Sequence, residues 1–494
     1  MKLKKQRTQE IIENLEIIEA ASEGNSIAKH NELVIFIPFV VPGDIVDVQI
    51  IKKKKSFAQA RAIKFHKLSD KRVEPMCPHF GVCGGCKWQT MKYEDQLFFK
   101  NKQVIDALQR IGHIDCSKAN NIIGSEKQFF YRNKLEFTFS TKRWFTQEDI
   151  QTLEPNTSRK GLGFHVSGFF DKVLDIEYCA LQREPSNLIR NFIRQYSNEN
   201  NLSYYDIREH QGLLRNIIIR STYDNELMVI VVFAQESEVI SPMLEAISKQ
   251  FPEITSLMYA INTKFNDTLY DQDIICFKGN DHITEYMPAF KEDRDKLKFK
   301  IGAKSFYQTN SLQAFVLYSK AIEFAELNED DIVYDLYTGT GTIANFVAPY
   351  VKKVVGIEYV EQAIDDAKHN SQANNLNNTK FIAGDMSKVL NSAFVEENGK
   401  PDLIITDPPR AGMVQNVIDQ LLEIEAKKII YISCNPATQA RDIELLSAKY
   451  TVHRIQPVDM FPHTHHVENI VLLVRREDHQ AGLIPEVPEA DQFQ

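Results

Sequence analysis

The sequence predicts a multi-domain α/β protein: a small N-terminal β-barrel, a central α+β domain and a C-terminal doubly wound sheet. Three observations lead there. The 494 residues correspond to about three domains at roughly 150 residues each. From about Ile12 to Phe65 the chain reads as short β-rich runs with turn punctuation. From about Leu297 onward, apolar strands alternate with amphipathic, helix-length segments. The expected units are a barrel over 1–70, the central domain over 71–295, the wound sheet over 296–477 and a tail over 478–494.

In the barrel, Glu32 to Pro38 and Ile45 to Ile50 read as strands joined through a Pro42-Gly43-Asp44 turn. The lysine run Lys52 to Lys55 follows, near Phe57 and Arg61. The chain's net charge of −9 does not point to a nucleic acid, but residues 1–72 carry 14 Lys/Arg against 9 Asp/Glu. A basic barrel edge on an acidic protein suits a nucleic-acid backbone, although such a run also serves simply as a solvated face. Between about 95 and 285 the pattern is mixed, with strands expected at 134–139 and 228–233. In the last unit the strand candidates are 332–337, 353–358, 379–384, 402–406, 428–432 and 470–474. The tail from about 478 is polar and aperiodic, so it is expected to be disordered.

With 43% hydrophobic residues against 25% charged, global disorder is excluded. The longest apolar run, Leu227 to Ala234, falls far short of the roughly 20 residues of a membrane helix. Met1 to Glu10 lacks the apolar core of a signal peptide, and seven cysteines are too few for a disulfide scaffold. A soluble, cytoplasmic protein without a membrane partner is expected.

Asp335 to Thr342 places a glycine-rich turn directly after a strand, where the backbone turns sharply and a ligand approaches closely. Glu358 lies 19 residues past Gly339, at the end of the next strand, where a carboxylate binds a ribose hydroxyl pair. Asp385 follows the third strand and suits an adenine amino group. Asp335 would repel a pyrophosphate but could hold an ammonium group. Three acids and no phosphate-binding lysine favour S-adenosylmethionine over NAD.

Asp407-Pro408-Pro409-Arg410 follows the fourth strand, the two prolines fixing the backbone around the acid. Enzymes that methylate exocyclic amines place a base-stacking aromatic after the prolines; here stands Arg410. Cys434 follows the fifth strand at the same edge, and Glu468 precedes strand 470–474. The neighbouring His463, His465 and His466 lack the spacing of a zinc motif. One reaction uses all these groups. A thiolate adds to C6 of a uracil, C5 becomes nucleophilic and takes a methyl group, and a base removes the C5 proton. Cys434 and Glu468 fit those two roles, and the target base must leave its stack.

Cys77-x5-Cys83-x2-Cys86 is a compact set of three thiols, with Gly84 and Gly85 allowing a tight wrap. A fourth ligand would come from Cys116, Cys179 or Cys276. Zinc and a [4Fe–4S] cluster both take four cysteines, and the lack of a second close pair favours iron–sulfur.

These motifs, with Ile176 to Cys179, Phe306 to Asn310 and His466-Val467-Glu468, make residues 8–477 resemble the RNA uracil-C5 methyltransferases that carry a TRAM domain and an iron–sulfur cluster. The resemblance implies an OB-like TRAM barrel and a class I Rossmann-like methyltransferase domain. It also implies a [4Fe–4S] cluster on Cys77, Cys83, Cys86 and Cys179. S-adenosylmethionine contacts are implied for Gln308, Tyr337, Glu358, Asp385 and Asp407, with Cys434 as nucleophile and Glu468 as base. Tyr337 stands where many members have Phe, and Thr342 where many have Asn, so no cofactor contact is assigned to Thr342. The implied partner is RNA, with 23S ribosomal RNA expected and the T-loop uridine of transfer RNA as the alternative, and a monomer is expected. A non-catalytic RNA-binding or redox-sensing relative would have lost Cys434, Glu468 or the cofactor acids, and all are present.

Overall fold

The computed structural model describes residues 10–291 and 293–480. The N-terminal unit is a six-stranded sheet in the order Ile11–Glu16, Ile45–Lys53, Phe57–Lys67, Leu33–Pro38, Asn25–His30, Glu19–Ala20. Alternate residues of these strands (Ile35, Ile37, Val46, Val48, Ala58, Ala60) point to one enclosed core. The lysine run does not follow the last strand. Lys52 and Lys53 end one strand, and Lys54 closes a hairpin by donating to the Phe57 carbonyl at 2.8 Å.

The central unit is an eight-stranded mixed sheet. Its middle strands, Lys134–Ser140, Leu214–Ser221 and Leu227–Phe233, are paired antiparallel, with Ile218 facing Glu136 and Ile230. On one face Ile217, Ile219, Val229 and Val231 pack against Ile189, Ile193, Met243, Leu244 and Ile247 from the helices Ser186–Glu199 and Ile240–Gln250. On the other face Ile218, Met228 and Ile230 join a second core that continues into the C-terminal unit. This two-sided burial explains why Leu227–Phe233 is apolar at every position instead of alternating.

The C-terminal sheet has seven strands in the order Thr379–Ala383, Lys353–Glu358, Ile332–Leu336, Leu403–Thr406, Lys428–Ser433, Glu468–Arg475, Tyr450–Val458. Five expected strands lie within a residue of their expected bounds. Three features differ from expectation. Glu468–Arg475 runs antiparallel to its neighbour, so the sheet is mixed; Glu468 opens that strand instead of preceding it. Tyr450–Val458 is an additional edge strand, whose half-buried, polar-rich first half carries little apolar signal. Helices cover both faces, and the early helix Tyr93–Arg110 packs Val104 and Leu108 onto this sheet. A short helix, Arg476–Gln480, ends the described chain; the rest of the expected disordered tail, 481–494, lies outside the described residues.

Candidate active site

The carboxyl ends of the five parallel strands bring Tyr337, Glu358, Asp385, Asp407 and Cys434 to one sheet edge, as open α/β sheets do, and Glu468 joins them from the start of the adjacent antiparallel strand. Past Leu336 the backbone turns through three left-handed residues, Tyr337 (φ 63°), Gly339 (φ 54°) and Gly341 (φ 74°). A Cβ on Gly339 would meet nothing within 4 Å, so the turn is open there, whereas one on Gly341 would come within 2.8 Å of the Ala367 Cβ. Glu358 closes the turn from the next strand, accepting from the Gly339 N–H at 3.2 Å and the Val360 N–H at 3.0 Å.

Asp335 does not reach out of the turn. One carboxyl oxygen accepts from the Thr338 hydroxyl and from the Ala344 N–H at 3.0 Å, lashing the turn together. Its other oxygen is buried without a partner, and burial pushes the acid up to about 7. Asp385 caps the helix Met386–Val389 and accepts from the Ser387 hydroxyl (2.8 Å) and N–H (3.0 Å), which holds it below the usual carboxylate range. Tyr337 stands among Asp442, Asp385 and Glu358, its phenol pushed up to about 12 mainly by burial.

Gln308 lies in the loop before the helix Ser311–Ala325. Its carbonyl accepts from Asn133 of the central sheet at 2.9 Å, and its side chain bonds the buried hydroxyl of Tyr318. That tyrosine is held up first by burial and then by Asp407, with Asp335 and Glu468 adding to it.

Asp407, Cys434, Glu468 and Arg410 form one electrostatic group. Burial pushes Asp407 up to about 7. Burial and then the nearby Glu468 and Asp407 push the Cys434 thiol up to about 11; Arg410, bonded to it, opposes them. Glu468, 6% exposed, is driven well above the carboxylate range by burial and by Asp407. The Arg410 carbonyl accepts from Asn435 (2.9 Å) and Thr438 (3.2 Å), which fixes the arginine beside the helix that starts after Cys434. The Arg410–Cys434 contact and the buried Tyr318 were not read from the sequence; Arg410 was visible in its motif, whereas Tyr318 looks like any core position of its helix.

The second group is the cysteine set. Cys77, Cys83, Cys86 and Cys179 line one cavity of about 420 Å³ with His79, Gln89 and Arg132. Gly84 is required there, since a Cβ would come within 2.6 Å of the His165 carbonyl oxygen. The Cys77 N–H donates to Gln89 at 3.0 Å and the Cys179 N–H to Asn187 at 2.8 Å. All seven cysteines are free thiols; burial raises Cys83 and Cys86 to about 12. Cys116 is tucked into the C-terminal core and Cys276 is exposed on a sheet edge, so neither reaches this cavity. Among the described residues no three His, Cys, Asp or Glu side chains are arranged to hold a metal ion. The same holds for His463, His465 and His466, which burial lowers to about 4, about 4 and about 3. No described helix is long and apolar enough to cross a membrane.

The profile of the family described as tRNA (Uracil-5-)-methyltransferase matches residues 268–476, and that of the TRAM domain matches residues 8–63. A Bacteroides thetaiotaomicron protein described as an uncharacterized RNA methyltransferase is 54% identical over 460 residues, 92% of this chain and 100% of its own length. A Porphyromonas gingivalis protein of the same description is 51% identical over 472 residues, 94% of this chain and 100% of its own. Among solved structures, a Pyrococcus abyssi tRNA (uracil-54, C5)-methyltransferase in complex with S-adenosyl-L-homocysteine is 28% identical. It matches with a TM-score of 0.71 over 93% of this chain and 100% of that one.

Proposed function

The chain belongs to the tRNA (uracil-5-)-methyltransferase family and carries an N-terminal TRAM domain; we propose that it methylates C5 of an RNA uridine through a covalent Cys434 adduct, and, on the resemblance to the cluster-bearing TRAM enzymes alone, that the RNA is 23S-type ribosomal RNA. It is an S-adenosylmethionine-dependent RNA uracil-C5 methyltransferase; the nucleophile, the base and the RNA are the proposal's own. The observation that carries the residue assignment is the grouping of Cys434, Glu468, Asp407 and Arg410 at one strand edge, although Cys434 and Glu468 stand 34 positions apart.

The donor site fits S-adenosylmethionine. The open space over Gly339, the carboxylate of Glu358 beside it, Asp385 beyond it and the buried acid Asp335 within the turn suit a cationic, hydroxyl-bearing ligand and disfavour phosphates. Gln308, Tyr337 and Asp407 complete the set of contacting residues. When bound, S-adenosylmethionine supplies an electrophilic methyl group. The Cys434 thiolate, favoured by Arg410, adds to C6 of the extruded uracil and pushes the electron pair through C5. Once C5 carries its methyl group, the Glu468 carboxylate takes the C5 proton, the ring double bond re-forms and Cys434 leaves with its electron pair. Burial in an apolar surrounding makes that carboxylate a stronger base than a surface glutamate.

The cysteine cavity fits a [4Fe–4S] cluster on Cys77, Cys83, Cys86 and Cys179. Four free cysteines lie on the lining of one cavity, and a [4Fe–4S] cluster takes four cysteine ligands. Such a cluster would supply an oxidisable crosslink between the cysteine turn and the Cys179 segment. Iron and sulfide analysis of an anaerobic preparation tests it; zinc, or no metal, would refute it.

A second RNA reading, the T-loop uridine of transfer RNA, is favoured by the likeness to the Pyrococcus abyssi enzyme. Unmodified 23S ribosomal RNA and transfer RNA transcripts, incubated with methyl-labelled S-adenosylmethionine, separate the two. The expected result is 5-methyluridine in the ribosomal transcript, lost in Cys434→Ala. Label only in transfer RNA would overturn the substrate, and label independent of Cys434 would overturn the mechanism.

A further inference from the structure

The loop between the last two strands, residues 459–467, is where separate parts of the chain meet. Asp459, fully buried, pairs with the equally buried Lys100 at 2.6 Å and accepts from the Tyr93 hydroxyl at 2.9 Å. Asn310, two residues past Gln308, donates to the Met460 carbonyl at 2.9 Å, and Tyr131 donates to the Pro462 carbonyl at 3.0 Å. His463 is held most tightly. Its carbonyl accepts from both the Lys87 N–H (2.9 Å) and the Trp88 N–H (3.0 Å), the residues that follow Cys86. Its N–H donates to Gln96 Oε1 at 2.9 Å, its Nδ1 lies 3.2 Å from Gln96 Nε2, and its ring stacks on Phe129 with centroids 4.2 Å apart. Gln96 in turn donates to the Trp88 and Met91 carbonyls at 3.0 and 2.8 Å.

His463 has a φ of 65°. Histidine, like Asn and Asp, enters this left-handed region more readily than other side-chain-bearing residues, whereas a β-branched residue there is strained. Here the surroundings are the cysteine-bearing turn and the helix behind it. Five residues beyond His463 the same loop delivers Glu468 into its strand. A base aimed by a loop inherits whatever fixes that loop.

We infer that His463 is a positioning residue for Glu468: the segment Cys86–Gln96 clamps it in the left-handed conformation, and that clamp sets where the base stands over the uracil. The order of the cysteine turn is thereby read out at the proton-abstraction step, in a different unit of the chain from the thiols. This rests on the assignment of Glu468 as base, and not on which metal the thiols hold.

The test uses the full-length protein and whichever of the 23S ribosomal RNA and transfer RNA transcripts the wild type methylates. Steady-state rates give KM and kcat, and single-turnover reactions quenched under denaturing conditions count methylated protein–RNA adduct separately from released product. His463→Val, whose branched side chain opposes a positive φ, and Gln96→Leu, which cuts the side-chain ties, are expected to leave KM for RNA unchanged. Both are expected to lower kcat by about 10²-fold, the cost of a slightly misplaced reacting group, and to accumulate methylated adduct because addition proceeds and proton removal stalls. His463→Asn, which tolerates a left-handed backbone, restores turnover. Equal behaviour of the Val and Asn variants would overturn the inference, as would falling turnover without adduct. If His463→Val does not fold, Gln96→Leu decides alone. A wild type that methylates neither transcript would instead refute the proposed function itself.

Discussion

Arg410 changes what Cys434 can do. A thiol pushed up to about 11 is mostly protonated at neutral pH, and only the thiolate attacks. Raising pH exposes more thiolate and more ionised Glu468, so the proposed nucleophile and the proposed base move the rate the same way. The kcat/KM of the wild type is expected to climb from pH 6 to 9 without a falling limb, and a bell peaking near neutrality would contradict it. In Glu468→Gln the addition and methyl transfer remain while proton removal is lost, so methylated adduct is expected to build up and turnover to fall by about 10²–10⁴-fold. On the donor side, Asp335 and Asp407 are both pushed up to about 7 and so carry protons that a bound cation would displace. S-adenosylmethionine affinity, measured by titration calorimetry, is expected to rise between pH 6 and 8. The uncharged sulfur of S-adenosylhomocysteine should respond less, and equal slopes would contradict the electrostatic reading. Without ligand the sign reverses: acids with raised folded pKa values favour the folded state at low pH, and that contribution is lost as pH rises towards about 7.

At the scale of elements, the helix Tyr93–Arg110 carries a fully buried lysine, Lys100, whose charge partner is Asp459. Removing that partner leaves a buried cation unpaired. Asp459→Ala is expected to cost about 3–5 kcal/mol in urea unfolding, whereas Lys102, on the more exposed side of the same helix, is expected to cost little when replaced by alanine. Most of the parallel strands were legible because each is a short apolar run ended by a turn residue, and the strand-end rule then put Glu358, Asp385, Asp407 and Cys434 at one edge. Tyr450–Val458 was not legible: an edge strand with Thr451, His453, Arg454 and Gln456 along it shows no apolar run. Lys100 reads in sequence as one more surface charge on an amphipathic helix, and nothing local reveals that it is sealed against a loop 359 positions away. The cysteine turn offers three thiols by spacing, which leaves Cys116, Cys179 and Cys276 open beside them; the resemblance names Cys179, and the structure puts that residue on the same cavity lining.

For the molecule as a whole, the central sheet is shared between two cores. Ile217 faces the helices of the central unit and Ile218, its neighbour, faces the core that continues under the C-terminal sheet. The two units are expected to unfold together, and the N-terminal sheet, with its own core, apart from them. Ile217→Ala and Ile218→Ala should each lower the same urea transition, by about 2–5 kcal/mol. Separate transitions answering to the two substitutions would contradict a shared sheet. This sharing also brings the cysteine turn, the Gln308 loop and the strand that begins at Glu468 against one another, which no domain-by-domain reading of the sequence supplies.

The central claim, methyl transfer through a covalent Cys434 adduct, is tested most directly with RNA carrying 5-fluorouridine, whose C5 fluorine the base cannot remove. Incubated with S-adenosylmethionine, the enzyme is expected to form a denaturation-resistant complex. Mass spectrometry of its peptides should find Cys434 joined to C6 of a uracil bearing a C5 methyl group. A wild type that methylates ordinary RNA yet gives no such complex, or one joined through another residue, would contradict the account.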